Sequence, residues 1–288
     1  MGAAATQRVR MPGMDTPAVL FRACPLCGRD NRAEPVFAAY TPGTWDLKRC
    51  PDCDLVYLET IPDYAATAEE LAWDHTFVTW HAARDRAPAQ RVLSKVGRSI
   101  RIGTHVVRKR RRMDELIAAL AAPGPVLDVG CGKGSQLAKL PERYIPFGIE
   151  ISAGQAAYAR ELVRARGGDI LVQPGATGLR QFPAGFFTGI MMRSYLEHEG
   201  QPREALQGAA HALAADGVLV IKVPNFGSLN RQVFGRRWCG FRFPDHMNYF
   251  TPDTLVRLCC ESGLAVRSFP WLDRLPTSDN MWLVAGRA

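Results

Sequence analysis

Short apolar runs recur along the C-terminal part of the chain, and each gives way to a segment of helical period. Val126–Val129, Tyr144–Ile151, Ile170–Val172, Phe186–Met192 and Gly217–Val223 read as buried strands. Helices are expected from Arg112 to Leu120, from Ser135 to Leu140, from Ala153 to Arg166 and from Arg203 to Ala214. Gly167 and Gly168 stop the third of these. Thr251 caps a further helix and Pro252 suits its first position. Leu264–Phe269 and Trp282–Gly286 close the pattern as strands. Strand and helix in alternation predict an α/β, doubly wound sheet that takes its ligands at the strand C-termini.

The N-terminal pattern is different. Cys24-Pro-Leu-Cys27 and Cys50-Pro-Asp-Cys53 are two C-x-x-C knuckles separated by 22 residues. Each turns two thiolates toward one point, and together they complete a tetrahedron. Pro35–Tyr40, Trp45–Arg49 and Leu55–Leu58 read as short strands around them. The expected unit is a zinc ribbon, too short to fold on an apolar core and stabilised by its metal. Rubredoxin-like iron uses the same ligand set and is the main alternative. With all four positions filled by cysteine no coordination site is left for chemistry, and an architectural or recognition role is expected.

From Glu59 to Ala122 the chain turns polar and helical. Tyr64, Leu71, Trp73, Phe77, Val78 and Trp80, with His75 and His81 among them, are expected to pack a helical face on the larger domain or to form a lid. Val92, Val96 and Ile100 lie on one face of a basic helix. Eleven basic residues and one acid, Asp85, fall between Arg84 and Arg112, so this segment holds +10 and the rest of the chain −2 of the net charge of +8. A solvated face, a phosphate-bearing substrate, an RNA or an anionic membrane surface are its readings.

Composition narrows the class. A chain of 288 residues with 47% hydrophobic positions buries one large core and a small one. No apolar run is long enough to span a membrane. The first sixteen residues lack the apolar core of a secretory signal, so a cytoplasmic location is expected. The other four cysteines, Cys131, Cys239, Cys259 and Cys260, are expected to be small apolar fillers rather than disulfide partners. The expected division is a flexible tail over 1–20, the ribbon over 21–58, a helical linker or lid over 59–115 and the large domain over 116–288.

The most informative stretch is Pro125-Val-Leu-Asp-Val-Gly-Cys-Gly-Lys-Gly134. A strand runs into three glycines and then a helix start, a unit that cradles a nucleotide against bare backbone. Its G-x-G-x-G spacing differs from the G-x-G-x-x-G of dinucleotide enzymes. The next strand ends on Glu150, where a carboxylate can accept both hydroxyls of a ribose. Here the sequence resembles the class I S-adenosylmethionine (SAM)-dependent methyltransferases, whose Asp-x-Gly-x-Gly-x-Gly motif matches Asp128 to Gly134 and whose ribose acid matches Glu150. The resemblance implies a Rossmann-like seven-stranded sheet with an antiparallel last strand. It also implies SAM bound by Asp128, Gly130, Cys131, Gly132, Gly134 and Glu150. The chain departs from the family in two places. Gln173–Leu179 lacks the acid that contacts adenine, and Phe187-Thr188 replaces a common Phe-Asp.

Tyr195-Leu-Glu-His198 follows the fourth strand of the pattern, at the edge of the cofactor crevice. In some sugar and small-molecule methyltransferases the histidine of this motif is the base. By that resemblance His198 is a candidate base, Glu197 its orienting group and Tyr195 a hydrogen-bond partner of the acceptor. An insertion from Val223 to Thr251 resembles a small-molecule branch of the family through Pro224, Asn225, Arg231, Phe234, Gly235, Trp238, Pro244, His246, Phe250 and Leu255. His246 joins the catalytic candidates, and Asn225, Arg231, Trp238 and Tyr249 are the acceptor-side candidates. The expected activity is methyl transfer from SAM to a small molecule such as a sugar or natural-product intermediate. Ribosomal RNA methylation and a non-catalytic SAM-binding scaffold are the alternatives.

Overall fold

The computed structural model describes residues 19–37, 45–62 and 112–288. The aromatic and basic segments of the expected linker therefore lie outside the described residues, apart from Arg112. Thr60–Pro62 (β4) is extended and pairs antiparallel with Val19–Phe21 (β1), so the first residues of the segment expected to be helical are strand.

The larger unit is a sheet of seven strands in the order β7-β6-β5-β8-β9-β12-β11. These are β5 (Gly124–Val129), β6 (Tyr144–Glu150), β7 (Ile170–Val172), β8 (Phe187–Arg193), β9 (Leu213–Pro224), β11 (Leu264–Ser268) and β12 (Asn280–Arg287). The pairs among β5 to β9 are parallel, and β12 runs antiparallel to both β9 and β11. The expected strands are all present and the order reverses beside β5, the position at which such sheets bind ligands.

Alternation along the central strands builds a core on each face. Leu127, Val129, Ile190, Met192, Leu219 and Ile221 point to one side, and Val126, Met191, Val218 and Val220 to the other. Each such side chain contributes about 1.5–3 kcal/mol on burial. Met113–Leu120 (α1) covers the second face with Met113 and Ile117, one helical turn apart. Ala153–Arg164 (α2) buries only Ala156, Ala159 and Val163 among its apolar residues. Small residues matter here, because a Cβ at Gly134 would stand 3.2 Å from that of Ala159. Helix and glycine turn therefore touch backbone to backbone.

The helix expected to start at Ser135 is a single 3-10 turn, Leu137–Lys139. Pro141 explains its end, since the residue before a proline is held extended, and Leu140 has ψ 134°. Thr251 caps Pro252–Glu261 as expected, in a reciprocal capping box with Thr254.

The ribbon strands Leu47–Arg49 (β2) and Val56–Leu58 (β3) pair as expected. Of the expected strand Pro35–Tyr40 only Pro35–Phe37 lies within the described residues; these three are not strand, although the Phe37 N–H donates to the Leu47 carbonyl at 2.7 Å. The third strand is β10 (Asn248–Tyr249), contributed by the insertion after β9. The ribbon is thus part of the larger unit's packing. Cys24, Leu26, Leu55 and Tyr57 join one sheet core, while Leu47, Val56 and Leu58 pack on Phe226, Trp238, Phe241 and Tyr249 of the insertion. Arg22 clamps the joint, donating to the carbonyls of Leu58 (2.8 Å), Gly200 (3.0 Å) and Met247 (2.7 Å). Among the described residues no helix is long and apolar enough to cross a membrane.

Candidate functional site

At the end of β5 the chain turns through Gly130, Gly132 and Gly134 with φ of 71°, 53° and 77°. Side-chain-bearing residues are strained there, which is why the turn is built of glycine. The turn hangs on β6: the N–H groups of Gly130 and Cys131 donate to the Ile149 carbonyl at 2.9 and 3.1 Å. Glu150 braces it from the next position, accepting from Gly132 N–H at 2.8 Å through Oε2 and from Ser152 N–H at 3.0 Å through Oε1. Each carboxylate oxygen keeps a second lone pair. Asp128 is buried below the turn, and loss of solvent pushes its carboxyl up to about 8, with Glu150 adding to the rise and Arg193 opposing it. The Cys131 thiol packs on β6, where a Cβ at Gly148 would lie 2.6 Å from its sulfur, and burial keeps it protonated.

Beyond β8 the backbone of Ser194 turns into the left-handed region at φ 52°, its N–H donating to the Lys222 carbonyl at 2.8 Å. This turn throws Tyr195 back over the glycines. A Cβ at Gly130 would stand 3.1 Å from its ring, and one at Gly175 would collide with its hydroxyl. That hydroxyl donates to Glu199, so Tyr195 lies over the glycine turn with its hydrogen-bonding group taken by the protein.

Glu197, His198 and His246 converge: their ligating atoms all lie within 4.8 Å of one another. The imidazoles meet edge to face with centroids 4.5 Å apart. His246 Nδ1 lies 2.7 Å from the Gly240 carbonyl, which only accepts, so Nδ1 carries the proton and Nε2 is an acceptor. The His198 ring donates likewise to the Asp245 carbonyl. Glu197 Oε2 is buried without a hydrogen-bond partner. Burial, then the Arg242 charge, hold His198 down to about 4, and burial drives His246 well below the ordinary imidazole value. Glu197 is pushed up to about 7, chiefly by burial. The cluster therefore presents acceptors and calls for a donor. A dication would meet Lys222 and Arg242, whose positive charges already depress His246, so a proton donor on a ligand suits the site better than a metal ion.

The acceptor-side candidates separate from this cluster. Asn225 is buried, with its amide donating to the carbonyls of Ser278 (3.0 Å) and Leu275 (3.3 Å) and its oxygen accepting from Gly227 N–H. Arg231 lies over the Phe226 ring, 4.3 Å from its centroid, and donates to that residue's carbonyl. Trp238 and Tyr249 are buried in the aromatic core between insertion and ribbon. These four stabilise the insertion, which in turn places His246. The sequence pattern did not single out Ser194, Lys222 or Arg242. A lysine interrupting the apolar run Val218–Val223 was the one available signal.

The four ribbon thiols form a second cluster. Cys24 and Cys53 sulfurs lie 3.4 Å apart, as do those of Cys27 and Cys50. Four sulfurs about 2.3 Å from a zinc ion would be about 3.8 Å from one another, so the cluster fits a tetrahedral metal after slight expansion. The two knuckles match in geometry: Gly28 and Asp54, each following a second cysteine, both have positive φ. A surface depression lined by Arg180, Gln207, Gly208 and His211 lies at the far end of helix Gly175–Leu179 from Tyr195 and contains none of these groups.

The strand order and the glycine turn on β5 define a class I SAM-dependent methyltransferase fold. A family model described as a methyltransferase domain matches residues 105–268, more than half of the chain, and the protein belongs to that family. Solved structures share the fold. An S-adenosylmethionine-dependent methyltransferase from Clostridium acetobutylicum ATCC 824 is 11% identical, with 60% of this chain and 88% of that chain covered and a TM-score of 0.50. The CcbJ methyltransferase from Streptomyces caelestis is 17% identical, with 61% and 93% covered and a TM-score of 0.50. No curated protein sequence matches significantly.

Proposed function

We propose that this protein transfers the methyl group of SAM to a small-molecule acceptor bound over the ends of β8 and β9. The convergence of Glu197, His198 and His246, just past the Tyr195 whose ring lies against Gly130, carries this reading. When bound, SAM supplies a sulfonium methyl open to in-line displacement. The turn from Asp128 to Gly134 and the braced carboxylate of Glu150 are the groups that would hold it. Asp128, kept protonated by burial, would ionise against the cofactor's ammonium group.

The chain's own task is to aim and deprotonate the acceptor. His198 is neutral at physiological pH, so its lone pair can take the acceptor's proton. His246 and Glu197 offer further acceptors that fix the direction of its O–H or N–H groups. The insertion delivers His246 and packs its other side on the ribbon. We assign Cys24, Cys27, Cys50 and Cys53 to a structural zinc ion.

Calorimetry of zinc-replete protein with S-adenosylhomocysteine tests the reading. Uptake is expected, with loss in a Glu150→Ala variant. A His198→Gln variant should keep that uptake yet fail to turn SAM into S-adenosylhomocysteine when acceptor is supplied. Absence of uptake by the wild-type protein would remove the cofactor and the activity together.

A further inference from the structure

We infer that the acceptor carries an anionic group, phosphate or carboxylate, seated between Arg193 and Lys222. The inference rests on the methyl-transfer reading for the identity of the ligand, but its site is defined independently. Arg193 and Lys222 are register partners at the end of the parallel β8–β9 ladder. Neighbouring strands stand about 4.8 Å apart, so the two stems rise side by side from one face.

Neither cation has a carboxylate within ion-pair distance among the described residues. Lys222 makes one side-chain hydrogen bond, to Ser194 Oγ at 3.3 Å. Burial lowers its amine; the Glu197 carboxylate opposes this as the largest charge effect, Arg193 adds to the fall and Cys239 opposes it. Arg242 adds a third positive charge toward the two histidines. With Lys222 half-buried and Arg193 exposed beside it, like charges placed together are unfavourable unless an anion joins them.

The position selects the acceptor over the cofactor. The glycine turn and Glu150 lie on β5 and β6; Arg193 lies on β8, where its charge reaches Asp128, and Lys222 lies farther out on β9, across β8 from them. The histidine cluster lies toward Lys222, since Lys222 and Arg242 both act on His246. An anion held at the strand ends would keep the rest of the acceptor against His198.

The test uses zinc-replete protein saturated with S-adenosylhomocysteine, titrated separately with inorganic phosphate and with acetate. Carbon-13 NMR of the lysine side chains reports the ionisation of Lys222. The expected result is a rise in the Lys222 pKa on anion binding and a loss of affinity of about tenfold or more in both Lys222→Met and Arg193→Gln. Lys222→Arg should keep the affinity within about threefold, because the charge remains. Tighter phosphate binding would assign a phosphate ester, tighter acetate binding a carboxylate. Equal binding by wild type and both charge-removing variants, or no binding of either anion, overturns the proposal. So does a loss of S-adenosylhomocysteine affinity in Lys222→Met, which would give the pair to the cofactor's own carboxylate. Failure of wild-type protein to take up S-adenosylhomocysteine instead sinks the methyltransferase reading, and the anion titration is then read on the cofactor-free protein.

Discussion

His198 and His246 stand edge to face, 4.5 Å between ring centroids, although one follows β8 and the other sits deep in the insertion after β9. Desolvation holds both neutral, with His198 at about 4. Nitrogen-15 NMR should find two of the six imidazoles still neutral at pH 5.5. The linkage has a definite sign. An unfolded histidine binds its proton near pH 6.5, the folded one only near 4, so stability falls as pH drops through that window. His198→Gln should flatten the loss; an unchanged slope would mean that the ring is solvated.

Asp128 gives the opposite sign. Its carboxyl is raised to about 8, so the folded state keeps a proton that the unfolded chain releases near 4. Its contribution to stability is lost as pH rises through that range. Asp128→Asn should therefore raise the apo protein's stability at pH 8 by at least about 1 kcal/mol and weaken S-adenosylhomocysteine binding. Thermal unfolding and calorimetry on the same samples check both halves.

Gly130→Ala places a methyl 3.1 Å from the Tyr195 ring on backbone at φ 71°. A destabilisation of about 1–3 kcal/mol is expected, and the added methyl should reduce cofactor affinity by more than tenfold. Unimpaired S-adenosylhomocysteine uptake by a folded variant would place the cofactor elsewhere.

The ribbon is tied to the chemistry through β10. Asn248 N–H and Met247 N–H both reach the Glu197 carbonyl, and the Asn248 amide donates to the carbonyls of Leu196 (2.8 Å) and Glu199 (2.7 Å). One zinc ion per chain is expected by elemental analysis. Chelation should lower the unfolding midpoint by at least about 5 °C and shift the His198 and His246 resonances. Spectra unchanged at those rings after metal loss would show that ribbon and site are uncoupled.

Asn248→Ala isolates that tie without touching the metal. It strands two carbonyls in a buried joint, and a loss of about 1–3 kcal/mol follows. Zinc content should stay intact while the His246 resonance moves.

Much of this protein is legible in its sequence, because the signals concerned are local. Apolar runs alternating with helical segments fix the strands from Val126 to Gly286, three glycines in five residues fix the turn, and paired C-x-x-C knuckles fix a four-thiol cluster. Local reading failed where a neighbour in space intervened. Nothing local to the ribbon announces that Asn248–Tyr249, about 190 residues further on, adds a strand to its sheet on the β3 edge. Trp238, Tyr249 and Asn225 resemble pocket residues along the chain, but the ribbon's apolar face buries the first two and backbone carbonyls occupy the third. The meeting of His198 with His246, and of Arg193 with Lys222, depends on strand order and on how the insertion folds back. Local pattern carries no record of either, since contacts between distant segments form only when the sheet closes and buries its faces. The sequence therefore determined the glycine turn and the strand that feeds it, and tertiary structure alone decided which distant side chains meet at the strand ends.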